Sequence, residues 1–370
     1  MRNVITMMAA AAMIFASCSD NESGVAEEKV EIGFNTSIRD VTKAAFDGTT
    51  FNKFHVTALG NGGNFFTDAV VTKNDGGTWT TDNKYYWPDY PLEFYAYAPH
   101  DLQTSITQSG KSITDFTPKD KVEEQQDVLA AFNTGNKTDN GESGVDLTFR
   151  HQLAQVSVKA VNENTGTYTV EVLGVKLGRV MSKSTMTFPT SANAYATWST
   201  PTEAKSYGIK YDTPLTLDAT AKNLMGGDDN WLMLPQTLKE WNANAGGTDN
   251  GGAYIAVLVR IKDNNTGSYV YPKPKDGQTE ALYAYSAMPV NTQWEAGHKY
   301  EYTLSFFGQN GGAGVIDPVP TNPQAPNDPN IDTDPLPGNK PGDPIIINSP
   351  IMFKVSVQEW ISGEDITIGN

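Results

Sequence analysis

The 370-residue chain has a single cysteine, Cys18, and this scarcity limits how its fold can be held together. A disulfide within one molecule is excluded, although the N-terminus described below indicates export to an oxidising compartment. No histidine has a thiol partner for a structural zinc site.

Motifs for catalysis and for cofactor binding are also missing. None of the histidines has the spacing of a zinc-binding HExxH helix, and no GxSxG elbow, phosphate-binding loop or dinucleotide fingerprint occurs. We therefore expect no enzymatic activity, no cofactor and no metal. Structural roles are expected for all four histidines: His55, His100, His151 and His298.

Positive charge is scarce. The chain has 27 Lys and Arg against 43 Asp and Glu, a formal net charge of −16. Because phosphate binding needs a basic face, nucleic acid is excluded as a partner. The charge suits a surface protein that should not adhere non-specifically.

Helical periodicity is nearly absent, and the best helix candidate is the short segment Lys119 to Phe132. Elsewhere, short runs alternate apolar and polar residues between Gly, Asn, Asp and Thr clusters, as half-buried strands do. The sequence therefore predicts an all-β fold of sandwich type.

The N-terminus carries the one long apolar run. Val4 to Ala16 are uncharged but too few to span a bilayer, which needs about 20 residues. Small residues precede Cys18, as in a bacterial lipoprotein signal. We predict a signal peptide at residues 1–17, lipidation of Cys18 with outer-membrane lipid as a partner, and a tether at residues 18–33.

Proline recurs between Gly308 and Pro350, where no aromatic residue occurs. This composition predicts an extended, partly polyproline spacer at residues 308–350 that forms no core. Strand character returns from Ile351 to Trp360. The predicted strand has Phe353, Val355 and Val357 on one face.

An aromatic cluster admits two interpretations. It consists of Trp79, Tyr85, Tyr86, Trp87 and Tyr90. These side chains could fill a sandwich core and its edge, or they could be exposed and stack on sugars.

Four segments together resemble the fimbrillin family, the type V pilins of Bacteroidetes. Residues 145–156 (VDLTFRHQLAQV) are similar to the F-x-H-x-L-A-x-V strand of that family, and residues 230–236 (NWLMLPQ) to its L-P-Q segment. Residues 294–304 (WEAGHKYEYTL) resemble its W-x-x-G-x-x-Y-x-Y strand, and residues 353–360 its last strand, which ends in Trp.

The resemblance implies two tandem transthyretin-like β-sandwiches. We place them at residues 34–163 and 164–307, followed by the Pro-rich spacer and by the C-terminal strand or strands at residues 351–370. It also implies that a surface protease removes the first strand and that a strand from a neighbouring subunit fills the groove. The candidate donor residues are Phe353, Val355, Val357 and Trp360, although this strand could equally stay in its own domain.

Two basic residues compete as the processing site. Glu31 to Arg39 is the candidate first strand, and Arg39 is the only arginine between Cys18 and Arg150. Lys43 instead occupies the position where the family has arginine, in Thr42-Lys43-Ala44. The absence of cleavage is the third alternative.

These observations predict a structural subunit of cell-surface fimbriae at the outer membrane, assembled by protease-triggered strand exchange and supporting adhesion. The expected partners are other copies of the chain or related pilins, a maturation protease, and host proteins or glycans. The alternative is a monomeric, surface-anchored adhesin or glycan-binding lipoprotein on the same fold.

Overall fold

The computed structural model describes residues 29–38, 51–242, 251–309, 311–346, 351–360 and 366–367. Within these ranges the only helical elements are a 3-10 turn, Val122–Glu124, and one α-helical turn, α1, Lys137–Asn140. The predicted all-β class is confirmed.

The described strands are numbered in chain order. The first twelve are β1 (Phe34–Ile38), β2 (Lys53–Gly60), β3 (Gly63–Lys73), β4 (Trp79–Thr81), β5 (Leu92–Ala98), β6 (Thr104–Ile106), β7 (Lys111–Phe116), β8 (Leu129–Gly135), β9 (Val145–His151), β10 (Ala154–Asn162), β11 (Tyr168–Thr187) and β12 (Thr197–Trp198). The others are β13 (Thr202–Thr216), β14 (Lys222–Asn223), β15 (Trp231–Met233), β16 (Gln236–Thr237), β17 (Tyr254–Asp263), β18 (Tyr269–Tyr271), β19 (Ala284–Pro289), β20 (Gln293–Trp294), β21 (His298–Phe306), β22 (Val315–Ile316), β23 (Met352–Glu359) and β24 (Ile366–Thr367).

The predicted helix at residues 119–132 is wrong. This segment contains the 3-10 turn and the beginning of β8, which pairs antiparallel with β5 from Leu129↔Ala98 to Gly135↔Leu92. Cross-strand pairing of its apolar residues overrides a weak local helical pattern.

An eight-stranded sheet in the order β24-β1-β9-β8-β5-β2-β3-β4 encloses what we call the first core. Phe54, Phe94 and Phe149 lie at its centre with no exposed surface. The Phe54 and Phe149 rings are 5.1 Å apart in an edge-to-face arrangement, a favourable geometry for aromatic pairs.

A nine-stranded sheet centred on β11 and β17 and a five-stranded sheet centred on β10 and β21 pack around the second core. β17 pairs antiparallel with β11, whereas β21 runs parallel to β10. Alternate residues of each strand point inward, as in sheet-on-sheet packing. The β17 side chains Ile255, Val257 and Val259 have no exposed surface.

Strand β10 precedes the predicted division between domains but pairs with strands that follow it. It pairs with β14, β15 and β21, and its Val156 and Val158 side chains belong to the second core. The predicted division at residues 163 and 164 stays a prediction, and β10, which precedes it, contributes to the second core. The transthyretin-like arrangement also stays a prediction.

The predicted extended spacer is wrong for residues 311–346, which we call the covering segment. This segment folds against the outer face of the nine-stranded sheet, where β22 pairs with β19. Its Ile331 packs beside Tyr283 and Leu258. The sequence signal for this cover lies in β17, whose run YIAVLV (residues 254–259) is apolar on both faces and must be buried on both.

Candidate functional site: the first and last strands

Three of the predicted site residues lie outside the described residues: Cys18, Arg39 and Lys43. The described chain reaches the end of β1 at Ile38, one residue before Arg39. The observed β1, Phe34–Ile38, falls within the predicted first strand, Glu31 to Arg39.

β1 is inserted along β9. The two strands are parallel, in a register from Phe34↔Val145 to Ile38↔Phe149. Phe34, Thr36 and Ile38 alternate into the first core and are 5%, 3% and 1% exposed. The strand thus supplies a buried ridge, apolar at Phe34 and Ile38, that fills a groove in the sheet.

The floor of this groove is aromatic. The Phe34 ring centroid lies 5.5 Å from Phe94 and 6.1 Å from Phe54, both in edge-to-face geometry. On its opposite face β1 is polar, and the Asn35 Nδ2 donates to Asp146 Oδ1 at 3.0 Å. The alternation of residues along β1 therefore determines which of its faces points into the first core.

The residues before β1 are held by a second set of backbone bonds. The Ile32 amide donates to the Tyr85 carbonyl at 2.8 Å, and the Trp87 amide donates to the Val30 carbonyl at 3.0 Å. Loss of residues 29–38 would therefore leave backbone groups of β9, Tyr85 and Trp87 without partners, and unpaired edges of this kind favour pairing with another chain.

β23 is bound differently. It is an edge strand that pairs antiparallel with β21, from Met352↔Ser305 to Glu359↔His298. None of its eight residues is fully buried, and Val357 is 52% exposed. Among the candidate donor residues, Phe353 and Val355 pack partly against the second core.

The residues flanking β23 are fully buried. Ile351 is 2% exposed, and Trp360 has no exposed surface. The Trp360 amide donates to the Gly297 carbonyl at 2.6 Å. Side-chain burial of the last strand is therefore concentrated at its two ends, whereas its backbone pairs with β21 along its length.

Trp360 lies in a group of buried side chains that we call the junction cluster. It includes Tyr95 from β5, in the sheet of the first core, and Leu234, just after β15, which pairs with β10. Its indole stacks on the His151 imidazole at 4.0 Å with 9° between the ring planes. His151 in turn hydrogen bonds through Nδ1 to the Asp127 carboxylate, and both side chains are completely buried.

The sequence marked His151 and Trp360 as motif residues but did not predict that they touch. The sequence analysis did not single out Asp127. Its only signal in the sequence is a carboxylate directly before the apolar run that begins β8. Lys299 also approaches the Trp360 ring, at 5.9 Å, and burial lowers the pKa of its amine.

The aromatic cluster forms part of the first core. Trp79 and Trp87 are each 7% exposed, and Tyr85 and Tyr90 pack against the same core. Tyr86 alone of the five is exposed, at 37%, with the Lys29 amine 5.7 Å from its ring. The interpretation as core residues is confirmed for Trp79 and Trp87, and Tyr85 and Tyr90 cover the edge of the same core.

In the described part of the chain, no three or more His, Cys, Asp or Glu side chains are grouped so that they could hold a metal ion. No helix among the same residues has the length and apolarity needed to cross a membrane.

Comparison with known proteins gives the fold a family. The sequence model described as fimbrillin-like matches residues 41–316. No curated protein matches the chain.

Among solved structures, the chain is similar to a fimbrial protein from Bacteroides vulgatus, with 14% identity and a TM-score of 0.54 over 89% of this chain and 99% of the other. It is also similar to a proposed cell adhesion protein from Bacteroides uniformis, with 14% identity and a TM-score of 0.44 over 90% and 99% of the two chains. The family match covers most of the sequence, and the chain therefore belongs to the fimbrillin-like family.

Proposed function

We propose that the protein is a structural subunit of cell-surface fimbriae that supports adhesion and polymerises by strand exchange after proteolysis. The supporting observation is the placement of β1, which fills an aromatic groove and ends one residue before Arg39. Membership of the fimbrillin-like family supports the same assignment.

Cleavage after Arg39 would remove β1 together with the paired residues before it. The vacated groove would expose Phe94 and Phe54 and one edge of β9, which is costly in water. A strand from a second copy would bury both the apolar groove and the backbone edge. Because donor and acceptor surfaces differ, such contacts propagate as an open filament and form no closed ring.

The candidate donor strand is β23. Its edge position, and the absence of any fully buried residue within it, favour β23 as the strand that leaves its sheet. Donation would also withdraw Trp360 from the junction cluster, so release of this strand is coupled to the contact between the two halves.

Export and anchoring are the remaining parts of the proposal. Lipidation of Cys18 would attach the precursor to the outer membrane, and proteolysis after Arg39 would release it from this anchor. Replacement of Cys18 by Ser should abolish labelling by a radioactive fatty acid and move the protein out of the membrane fraction. Labelling that persists in this variant would contradict lipidation at Cys18.

The deciding experiment is N-terminal sequencing of the protein from the cell surface, together with a gel of unboiled sample. A start at Asp40 with a ladder of detergent-resistant multimers is expected. Arg39→Ala should abolish both, whereas the control Lys43→Ala should leave both. If a start at Ala44 is found instead, Lys43 is the processing site and the two variants exchange roles.

A second variant separates cleavage from donation. Deletion of residues 353–370 should leave processing intact but eliminate the ladder. A ladder that survives this deletion would exclude β23 as the donor while leaving the fimbrial assignment in place.

One observation favours the alternative of a monomeric, surface-anchored adhesin. In a single chain, β23 pairs along its full length with β21, and Trp360 is fully buried. This alternative predicts an acylated Cys18 at the start of the mature protein and one monomer band on the unboiled gel.

A further inference from the structure

A buried ion pair joins the covering segment to the nine-stranded sheet. The Lys176 Nζ, from β11, lies 2.6 Å from the Asp317 Oδ2, just after β22. Their side chains are 1% and 0% exposed. The Tyr285 ring centroid is 4.1 Å from the Lys176 amine, and that of Tyr254 is 5.6 Å away, so the surroundings are aromatic as well as buried.

Backbone groups near the pair position the Lys176 amine and one oxygen of the Asp317 carboxyl group. The Lys176 Nζ donates to the carbonyls of Val319 at 2.5 Å and Thr321 at 3.3 Å. A neutral amine has two N–H donors and one lone pair, so these two bonds use its donors and leave the lone pair for Asp317. The Asp317 Oδ1 accepts from the Val319 amide at 2.6 Å.

Burial disfavours the charged form of both groups. It lowers the pKa of the Lys176 amine and raises the pKa of the Asp317 carboxyl. Transfer of one proton from ammonium to carboxylate produces a neutral amine beside a neutral carboxylic acid and removes two desolvated charges. These are the protonation states in which nitrogen is nucleophilic and the carboxyl carbon is electrophilic.

We propose that Lys176 and Asp317 react with each other to form an intramolecular amide bond between Nζ and Cγ. The nitrogen lone pair attacks Cγ, the C–OH bond breaks, and the hydroxyl leaves with a proton from the nitrogen as one molecule of water. The reaction changes no oxidation state and needs no co-reactant.

Two neighbouring groups assist this step. The Val319 amide donates to Oδ1, the oxygen on which negative charge develops during the attack, as the donors of an oxyanion hole do. The Tyr254 hydroxyl is buried beside the Asp317 carboxyl and can carry the proton from nitrogen to the departing hydroxyl. Once the water has left, burial of the pair disfavours hydrolysis.

A second ion pair between the same layers provides an internal contrast. Lys210 of β13 contacts Asp328 of the covering segment, but the Lys210 side chain is 26% exposed. Burial opposes ionisation of Asp328, yet hydrogen bonds from Lys210 and from the Asn330 amide outweigh it and lower the pKa of the carboxyl. Asp328 stays a carboxylate, which is a poor electrophile, so this pair should remain non-covalent.

The amide bond would be an intramolecular covalent cross-link in a chain that cannot form an intramolecular disulfide. With Cys18 alone, no disulfide can form within one molecule. An amide between residues 176 and 317 would fasten the covering segment over β17 and close a long loop of the chain, constraining the unfolded state as a disulfide does. Tension along a surface filament would then be unable to peel this segment away.

The test is the intact mass of the purified mature protein, followed by a peptide map. The expected mass is lower than the sequence mass by one water, with a cross-linked pair of peptides containing Lys176 and Asp317. A full mass with both peptides free would overturn the proposal and leave a buried ion pair. A water loss that maps to any other residue would overturn it as well.

Substitutions in this ion pair and in the Lys210–Asp328 pair test whether the water loss depends on Lys176 and Asp317. Lys176→Met should restore the full mass, whereas Lys210→Met, the matched control, should keep the water loss. Asp317→Asn should lose ammonia and reach the same cross-linked product as the parent chain. Because the measurement on the parent chain decides the question, a variant that fails to fold does not weaken the test.

Discussion

The first and last strands of this protein are held in opposite ways. β1 is anchored along its length, with Phe34, Thr36 and Ile38 all buried in the first core. β23 contains no fully buried residue and is anchored at its flanks by Ile351 and Trp360. Removal of β1 therefore creates a deep acceptor groove, whereas release of β23 gives up its backbone pairing with β21 and two buried side chains at its flanks.

The largest effect should follow from removing the Trp360 anchor. Trp360→Ala deletes a fully buried indole and should lower the free energy of unfolding by about 3–5 kcal/mol. Val357→Ala, in the same strand but half exposed, should change it by less than about 0.5 kcal/mol. Urea denaturation of both variants measures the difference. Equal effects would show that side chains along β23 stabilise the protein as much as its flanks do, and would contradict the contrast drawn between β1 and β23.

The same substitution in each strand tests the contrast directly. Phe34→Ala should destabilise the protein by about 3–5 kcal/mol because its ring is enclosed by Phe94 and Phe54. Phe353→Ala should cost about 1–2 kcal/mol because its ring is only partly buried. Denaturation midpoints and slopes for both variants provide the measurement. A larger loss for Phe353→Ala would reverse the roles assigned to the strands.

The features that could be predicted from the sequence are those with local signals. Alternation placed β23 within one residue of its observed bounds, whereas β1 ends one residue before the predicted end but begins three residues after the predicted start. Four motif segments together supplied the family. The covering segment could not be predicted from its own composition, because proline and glycine describe local conformation and say nothing of what a segment packs against. The signal lay in its partner, where Tyr254 and Leu258 make the second face of β17 apolar.

The contacts in the junction cluster also could not be predicted from the sequence. His151, Asp127 and Trp360 come from three separate elements, and no spacing in the sequence connects them. The segment at residues 119–132 failed for a related reason: its apolar residues serve cross-strand pairing with β5, which a short helical period cannot anticipate. Contacts of this kind depend on the tertiary fold and are invisible to local patterns.

The smallest expected effect concerns Lys299, whose amine approaches the Trp360 anchor. Burial lowers the pKa of this amine in the folded state, so the folded protein bears a cost for keeping it charged. Between the lowered pKa and the ordinary value of about 10.5, the unfolded chain binds more protons than the folded one, and stability rises with pH. Lys299→Met removes this cost and should stabilise the protein at pH 7 by less than about 1 kcal/mol, since the side chain is partly exposed.

The advantage of Lys299→Met should shrink as the pH approaches 10, because the parent protein then loses the charge as well. Urea denaturation at pH 7 and pH 10 measures this trend, and Lys354→Met on the exposed face of β23 controls for the loss of one positive charge. A destabilised Lys299→Met at pH 7 would mean that attraction between the ammonium and the Trp360 ring exceeds the cost of burial. In that case Lys299 would belong to the anchor of the last strand, and its removal would ease the release of β23.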